Sequence, residues 1–248
     1  MTLILKSKNE MKSIRRAGQI LSACHKAIAR RISPGVTTFE IDRFAERFLL
    51  DNGAVLAQKG EKGYPYTISA SVNEVVYYGF PDRAPLSQGD VVTIEVAAEV
   101  NGARAISAWT YAIGVPAKEA AHLLKTAKLA LNRGVMEAKP GNRLSDIVRA
   151  IQQSAEETGY RVAADFVRHG ASAWLHDIGL EGEKGATGLE SKLREGMIVT
   201  IGPILTAGVP SVLIAPDGRA ARTIDGSLTA QFEHTVAVTG EGPVILTK

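Results

Sequence analysis

The chain has 248 residues, of which 45% are hydrophobic and 22% are charged, an ordinary globular composition. A net charge of +3 without any Lys/Arg-rich run argues against a nucleic-acid-binding protein. The sequence has no run of about 18 apolar residues, so no membrane-spanning helix is predicted. Cys24 is the only cysteine, which excludes an internal disulfide and a thiolate metal site. Its place in an apolar helical pattern predicts a buried thiol. We therefore expect a cytoplasmic protein with neither a nucleic-acid nor a membrane partner.

The first half of the chain predicts two helices followed by strands. Apolar residues recur at helical spacing from Ile14 to Leu21, within a helix expected over about 9–31. A second helix is expected between Pro34-Gly35 and Asn52-Gly53. Four strands should follow, over residues 66–72, 74–78, 91–100 and 103–115.

The second half repeats this order. A helix is expected over about 117–138 and another between Pro140-Gly141 and Thr158-Gly159, with Pro140 standing 106 residues after Pro34. Strands should follow over 161–168, 197–205, 210–215 and 232–238. The pattern predicts one domain, residues 1–248, built from pseudo-repeats of about 8–115 and 117–240. Runs of helices and runs of strands favour an α+β fold in which helices back an antiparallel sheet.

One strand occurs twice, once with a carboxylate and once without. Gly89-Asp90-Val91-Val92-Thr93-Ile94-Glu95 matches Gly196-Met197-Ile198-Val199-Thr200-Ile201-Gly202. A carboxylate that faces a core unpaired costs several kcal/mol, so Glu95 is either on a solvent-facing side or functional. If the two strands line one cavity, that cavity has an acid on one side only.

Three other segments carry polar groups suited to chemistry. His169 and His176 flank a loop of small residues, which indicates either a site or an ordinary surface loop. Tyr78 is either a phenolic donor or a packed core residue. Glu233 and His234 are adjacent at the start of a strand, so they point to opposite faces and only one can serve a given cavity.

Taken in order, these segments resemble type I methionine aminopeptidases. The resemblance extends from Ile14-Arg15-Arg16-Ala17-Gly18 to Gln231-Phe232-Glu233-His234-Thr235, and Asn73-Glu74-Val75-Val76 is among its more specific motifs. It implies the pita-bread fold, in which two pseudo-symmetric halves share a curved antiparallel sheet with helices on its outer face.

Three of the family's five metal-ligand positions differ in this sequence. Two Asp, one His and two Glu hold two divalent ions in the family, and the matching residues here are Glu95, Ile106, His169, Gly202 and Glu233. Ile106 and Gly202 have no donor atom. The resemblance therefore implies that the two-metal site is lost and that no cofactor is expected. A weak site for one ion would use Glu95, His169 and Glu233.

The substrate pocket also differs from the family pattern. Tyr78 stands where the family has a substrate-contacting His, Lys62 replaces a His before Gly-Tyr-Pro, and Arg219 falls near a pocket tryptophan position. Lys62, Arg219 and Trp174 are the predicted substrate-binding residues.

Three hypotheses follow for the function. The first is a metal-independent enzyme that carries out acid–base chemistry on a small polar substrate; its predicted catalytic residues are Glu95, His169, His176, Glu233 and Tyr78. The second is a non-catalytic binding protein. The third is an aminopeptidase with one remaining metal ion. The sequence leaves the oligomeric state open.

Overall fold

The structure is a computed structural model that describes residues 6–163, 175–177, 190–214 and 220–248. Within these ranges it contains four α-helices: α1 (Lys8–Ala29), α2 (Thr38–Asp51), α3 (Lys118–Met136) and α4 (Leu144–Glu156). Its strands are β1 (Val55–Leu56), β2 (Ile68–Val72), β3 (Val75–Tyr77), β4 (Val91–Val100), β5 (Ala103–Ala112), β6 (Arg161–Val162), β7 (Leu175–Asp177), β8 (Ile198–Ile201), β9 (Ile204–Thr206), β10 (Val212–Ile214), β11 (Ala221–Thr223), β12 (Thr229–Gln231), β13 (His234–Thr239) and β14 (Gly242–Ile245).

The helices begin where local chemistry favours it. The Ser7 hydroxyl accepts from the Glu10 N–H and the Glu10 carboxylate accepts from the Ser7 N–H, a capping box that starts α1. Thr37 and Glu40 do the same for α2. Along α1, Ile14, Ala17, Leu21, Cys24 and Ile28 form a buried stripe at helical spacing. Cys24 is buried as predicted, and burial raises the pKa of its thiol to about 12.

All pairings between the described strands are antiparallel, and they form four small sheets. In the first half, β4 pairs with β5 on one side and with β1 and β2 on the other. In the second half, β8 and β13 lie between β7 and β14, and β9 lies between β12 and β6. The fourth sheet, β10-β11-β3, joins residues from both halves. This architecture confirms the predicted α+β class.

Each helix pair covers its own hydrophobic core. One core combines α1 and α2 with β4 and β5, and the other combines α3 and α4 with β8, β9, β12 and β13. Trp109 packs against both cores and so lies where the halves meet. No helix within the described ranges is long and apolar enough to cross a membrane.

The two halves share turn geometry as well as element order. Gly35 and Gly141, 106 residues apart, both adopt φ 91°, a left-handed conformation that glycine tolerates best. The Gly35 N–H donates to the Leu86 carbonyl and the Gly141 N–H donates to the Leu193 carbonyl. These matched turns support the two-repeat, single-domain organisation that we propose from the sequence.

The strand limits differ from the sequence prediction in two informative places. The predicted strand over 197–205 is interrupted at Gly202-Pro203, because β8 pairs with β13 whereas β9 pairs with β12. The predicted strand over 161–168 begins as β6, and residues 164–168 lie outside the described part of the chain. By contrast, the prediction of 91–100 coincides with β4.

Candidate metal and peptidase site

Two acidic side chains meet across β5. Glu95 of β4 is directly opposite Ala108 of β5, and Ala108 is in turn bridged to Glu233. Neighbouring strands lie about 4.8 Å apart, so the Cα atoms of the two glutamates are separated by about 10 Å with only a methyl group between them. Directly opposed residues point to the same face of a sheet. Glu95 and Glu233 therefore lie side by side.

The backbone around Glu233 is held by hydrogen bonds to β5. The Glu233 N–H donates to the Ala108 carbonyl at 2.9 Å, and the Ala108 N–H donates back at 3.4 Å. On either side, the Thr110 hydroxyl bonds the backbone of Gln231 at 2.7 and 2.8 Å, and the Thr235 hydroxyl donates to the Ile106 carbonyl at 2.8 Å. This ladder fixes the segment from Gln231 to Thr235 against the first half of the molecule.

Gln231 lies beside both carboxyl groups. Its side-chain amide donates to Glu233 Oε2 at 3.2 Å, and, against the rise that burial causes, its amide dipole lowers the pKa of the Glu95 carboxyl. The second oxygen of Glu233, Oε1, is buried and has no hydrogen-bond partner among the described residues, although Glu233 is only 1% exposed. A buried oxygen without a partner is costly and indicates that a further group belongs at this position.

The electrostatics of the pair follow from burial and mutual repulsion. Burial raises the pKa of Glu95 to about 7, opposed by the side-chain amide of Gln231. Burial, followed by the charge of Glu95, holds the pKa of Glu233 well above its usual range. Two adjacent carboxyls cannot both ionise cheaply, so the pair holds a proton unless a cation lies between them.

His234 faces away from the site, as adjacent strand residues should. Its Nδ1 lies 2.9 Å from the Thr247 hydroxyl, and burial lowers its pKa to about 4. The prediction that only one of Glu233 and His234 serves the cavity agrees with these contacts.

Gly202 borders the Glu233 carboxyl directly. A Cβ atom built at Gly202 would overlap Glu233 Oε2 and would lie 2.7 Å from its Cγ atom. The Glu233 side chain thus occupies the room that any side chain at position 202 would need. The second position without a donor, Ile106, lies on the same face of β5 as Ala108.

Tyr78 stands at the edge of the site. It adopts φ 53°, a left-handed conformation that bulky residues rarely adopt and that often marks functional positions. Its side chain is 43% exposed, and burial, followed by the charge of Glu95, raises its pKa to about 12, with Glu233 adding to the effect. The phenol therefore stays protonated near both carboxyls and can donate a hydrogen bond.

An aromatic cluster adjoins Tyr78. Tyr64 makes edge contacts with Tyr66, Tyr78 and Phe80, with ring centroids 6.1, 6.2 and 5.2 Å apart. Tyr64 is buried, whereas Tyr78 and Phe80 are partly exposed. The cluster gives one side of the site an apolar, aromatic surface.

Several predicted site residues cannot be placed. His169, Trp174 and Arg219 lie outside the described residues, and Lys62 and His176 are described only in their backbone. The backbone of His176 pairs with Thr200 of β8. Their roles stay predictions. Sequence reasoning did not identify Gln231 as part of the site, although its spacing from Glu233 places both on one face of an extended segment.

Comparison with known proteins identifies the scaffold. The model of metallopeptidase family M24 matches residues 12–240. Methionine aminopeptidase A of Synechocystis sp. is 38% identical, covering 99% of this chain and 98% of its own, and methionine aminopeptidase 1 of Bacillus subtilis is 37% identical over 99% of each chain. The chain belongs to metallopeptidase family M24.

Solved structures agree with this assignment. The crystal structure of methionine aminopeptidase from Rickettsia prowazekii superimposes with a TM-score of 0.91 at 31% identity and covers 100% of both chains. A prolidase from Pyrococcus furiosus, at 23% identity and a TM-score of 0.76, shares the fold and is longer, since this chain covers 65% of it. The predicted resemblance and the pita-bread fold are confirmed.

Family membership overturns the leading functional prediction. A metal-independent acid–base enzyme was expected from Ile106 and Gly202, but full-length relatives at 33–38% identity are methionine aminopeptidases of a metallopeptidase family. That prediction is wrong. M24 methionine aminopeptidases use divalent metal ions, so the expectation of no cofactor is corrected as well.

The described residues fit a divalent ion in part. Glu95 and Glu233 offer carboxylate oxygens, the donors that hard cations prefer, and the unpartnered Glu233 Oε1 has the free lone pairs that an ion requires. Among the described side chains, no group of three His, Cys, Asp or Glu residues is arranged around one point. A third donor must come from elsewhere, and His169 is the predicted one.

Proposed function

We propose that this chain is a metal-dependent aminopeptidase that removes methionine from the N-terminus of peptides. The observation that carries this proposal is the pair formed by Glu95, which is partly buried, and Glu233, which is buried and has one carboxylate oxygen without a partner among the described residues. The pair lies at the junction of the halves of an M24 scaffold. Relatives that match over their full length and are named methionine aminopeptidases support the choice of substrate.

The proposed site would hold the ion through Glu95, Glu233 and His169. Because Ile106 and Gly202 have no donor atoms, these residues suit one ion more readily than a bridged pair. When bound, the ion supplies Lewis acidity and a bound water of lowered pKa. Gln231 fixes the Glu233 carboxyl by donating to Oε2, which leaves Oε1 free for the ion.

The remaining residues are proposed to hold the substrate. The Tyr78 phenol donates a hydrogen bond to the peptide backbone, and His176 carries protons at neutral pH. The aromatic cluster offers ring surface to the methionine side chain, because thioethers make favourable contacts with aromatic rings. Lys62, Trp174 and Arg219 are further candidates for substrate contacts. A small peptide is thus the expected partner.

The test uses release of methionine from a methionyl tripeptide. The chain, purified without chelator, should release methionine with Mn²⁺ or Co²⁺ present, lose activity with a chelator and regain it when the ion is returned. Glu233→Gln should lower kcat at least about 100-fold, since one ligand loses its charge. The matched control is Glu241→Gln, at the exposed turn between β13 and β14.

Two results would overturn the proposal. The first is absence of methionine release with every divalent ion tested while the protein is folded. The second concerns the one-ion site: calorimetric titration that gives two tightly bound ions per chain would refute it. A chain that binds one ion and hydrolyses the peptide agrees with both parts.

A further inference from the structure

A buried histidine lies behind the site, on the other face of β5. His25 of α1 is fully buried. Its Nδ1 is 2.8 Å from the Tyr111 hydroxyl, and its Nε2 is 3.0 Å from the Ser107 hydroxyl. The imidazole also stacks on Trp109 with centroids 5.0 Å apart and the ring planes inclined by 3°. The side chains that β5 directs towards α1 at these three positions, those of Ser107, Trp109 and Tyr111, thus all contact His25.

The opposite face of the same strand segment holds Glu233. Ile106, Ala108 and Thr110 alternate with Ser107, Trp109 and Tyr111, so the two sets point to opposite faces. Ala108 and Thr110 bond the backbone of Glu233 and Gln231, as described above. Residues 106–111 of β5 therefore connect His25 on one face of the strand to the segment that carries Glu233.

The position of His25 within α1 argues that it does more than fill the core. Its neighbours along the buried stripe, Leu21 and Ile28, are apolar, and an apolar residue there would avoid the desolvation of a polar ring. A neutral imidazole has one donor and one acceptor, and the flanking hydroxyls satisfy either tautomer. These two hydrogen bonds and the stacking on Trp109 fix the register of β5 against α1 and the rotation of β5 about its own axis. Apolar packing alone would fix both less strictly.

We infer that His25 is a positioning residue, which through β5 holds the backbone of Glu233 and so places its carboxyl beside Glu95. Loss of the imidazole should loosen the Ala108–Glu233 bridge even where the chain stays folded. The bridge is the part of the inference that does not depend on the proposed peptidase activity.

The first readout is amide hydrogen exchange at Ala108 and Glu233, the two N–H groups of the bridge. In His25→Leu, we expect these amides to exchange at least about tenfold faster than in wild type, since local opening controls exchange. The matched control is Leu21→Ala, which destabilises the same helix and core without touching a hydrogen bond to β5. Exchange is compared after correction for the loss of global stability in each variant.

The second readout is the division between kcat and KM with the methionyl tripeptide, and it rests on the proposed function. His25→Leu should lower kcat with little change in KM, whereas Leu21→Ala should change neither at a temperature where both are folded. His25→Asn, which keeps a group able to bond the Tyr111 hydroxyl, should recover part of kcat.

Equal exchange at Glu233 in His25→Leu and Leu21→Ala would overturn the inference. If His25→Leu does not fold, Tyr111→Phe and Ser107→Ala decide instead, since each removes one hydroxyl, and unchanged exchange in both would overturn it. Wild type that shows no peptidase activity would refute the proposed function alone, because the exchange readout still tests the role of His25.

Discussion

At the scale of single residues, the geometry of the site depends on the absence of a side chain at Gly202. The Glu233 carboxyl lies in the volume next to the Gly202 Cα atom, where it accepts from Gln231. A side chain at position 202 would therefore displace this carboxyl from the place that it holds here. This relation was not visible in the sequence, which shows only that a carboxylate is missing from the second copy of the strand.

Gly202→Ala should weaken metal binding. The added methyl group overlaps Glu233 Oε2, so the carboxyl must rotate away from Gln231 and from Glu95. We expect the affinity for Mn²⁺ to fall at least about tenfold, equivalent to about 1.4 kcal/mol, as measured by calorimetric titration. Gly240→Ala is the control, because a Cβ there meets only the exposed end of Glu195 at 3.2 Å. Unchanged affinity in Gly202→Ala would show that Glu233 does not bind the ion from this position.

At the scale of elements, β5 joins the two halves. The Thr110 hydroxyl lies 2.8 Å from the Thr93 hydroxyl and bonds both backbone groups of Gln231, so one side chain ties β4, β5 and the end of β12 together. Replacing Thr110 with valine, which has nearly the same shape, removes these three hydrogen bonds of its hydroxyl.

Thr110→Val should destabilise the chain and weaken metal binding together. The buried backbone groups of Gln231 lose their partner, which costs on the order of 1–3 kcal/mol of unfolding free energy. Urea unfolding and Mn²⁺ titration measure the two effects. Thr158→Val, which removes hydrogen bonds at the end of α4, should lower stability without changing the affinity for the ion. Loss of stability in Thr110→Val with full metal affinity would contradict this coupling.

Elements were more predictable than their contacts. The Val91-to-Val100 strand was predicted to the residue because β-branched residues continue through it between Gly89 and Asn101-Gly102. Glu95 was left open between a solvent-facing and a functional position, because strand alternation fixes the face but not what covers it. The placement of Glu95 and Glu233 on either side of Ala108 depends on a bridge between residues 125 positions apart, Ala108 and Glu233, which no local pattern encodes. His25 gave one unused signal, a polar residue on an otherwise apolar helical stripe.

At the scale of the whole molecule, a neutral histidine links stability to pH. Burial lowers the pKa of His25 to about 3, and the other titratable groups around it are Tyr111, Cys24 and His234. The unfolded chain binds a proton at His25 below its ordinary pKa of about 6.5, whereas the folded chain does not. Stability from this group is therefore full above pH 6.5 and falls as the pH drops towards 3.

The prediction is that wild type loses unfolding free energy relative to His25→Asn as the pH is lowered. The difference should change by up to about 1.4 kcal/mol per pH unit below pH 6.5, because one proton is taken up on unfolding of wild type only. Denaturant titrations at pH 7, 6 and 5 measure it. A difference that is constant across these values would show that His25 is protonated in the folded chain.

The junction between the halves has a practical consequence. Each half has its own helix pair, and the link between them is open to solvent, with Val115 79% exposed. The core beneath α1 and α2 nevertheless includes Ile198, Ala237 and Leu246 from the second half. The backbone of Glu233, also in the second half, is bridged to β5 of the first half. Cleavage at Val115 should give two fragments that are each inactive alone. The proposed release of methionine should return only when the two fragments reassociate, as in a split-protein reporter. Because the proposed ligands Glu95 and Glu233 lie on different fragments, divalent ions should promote that reassociation.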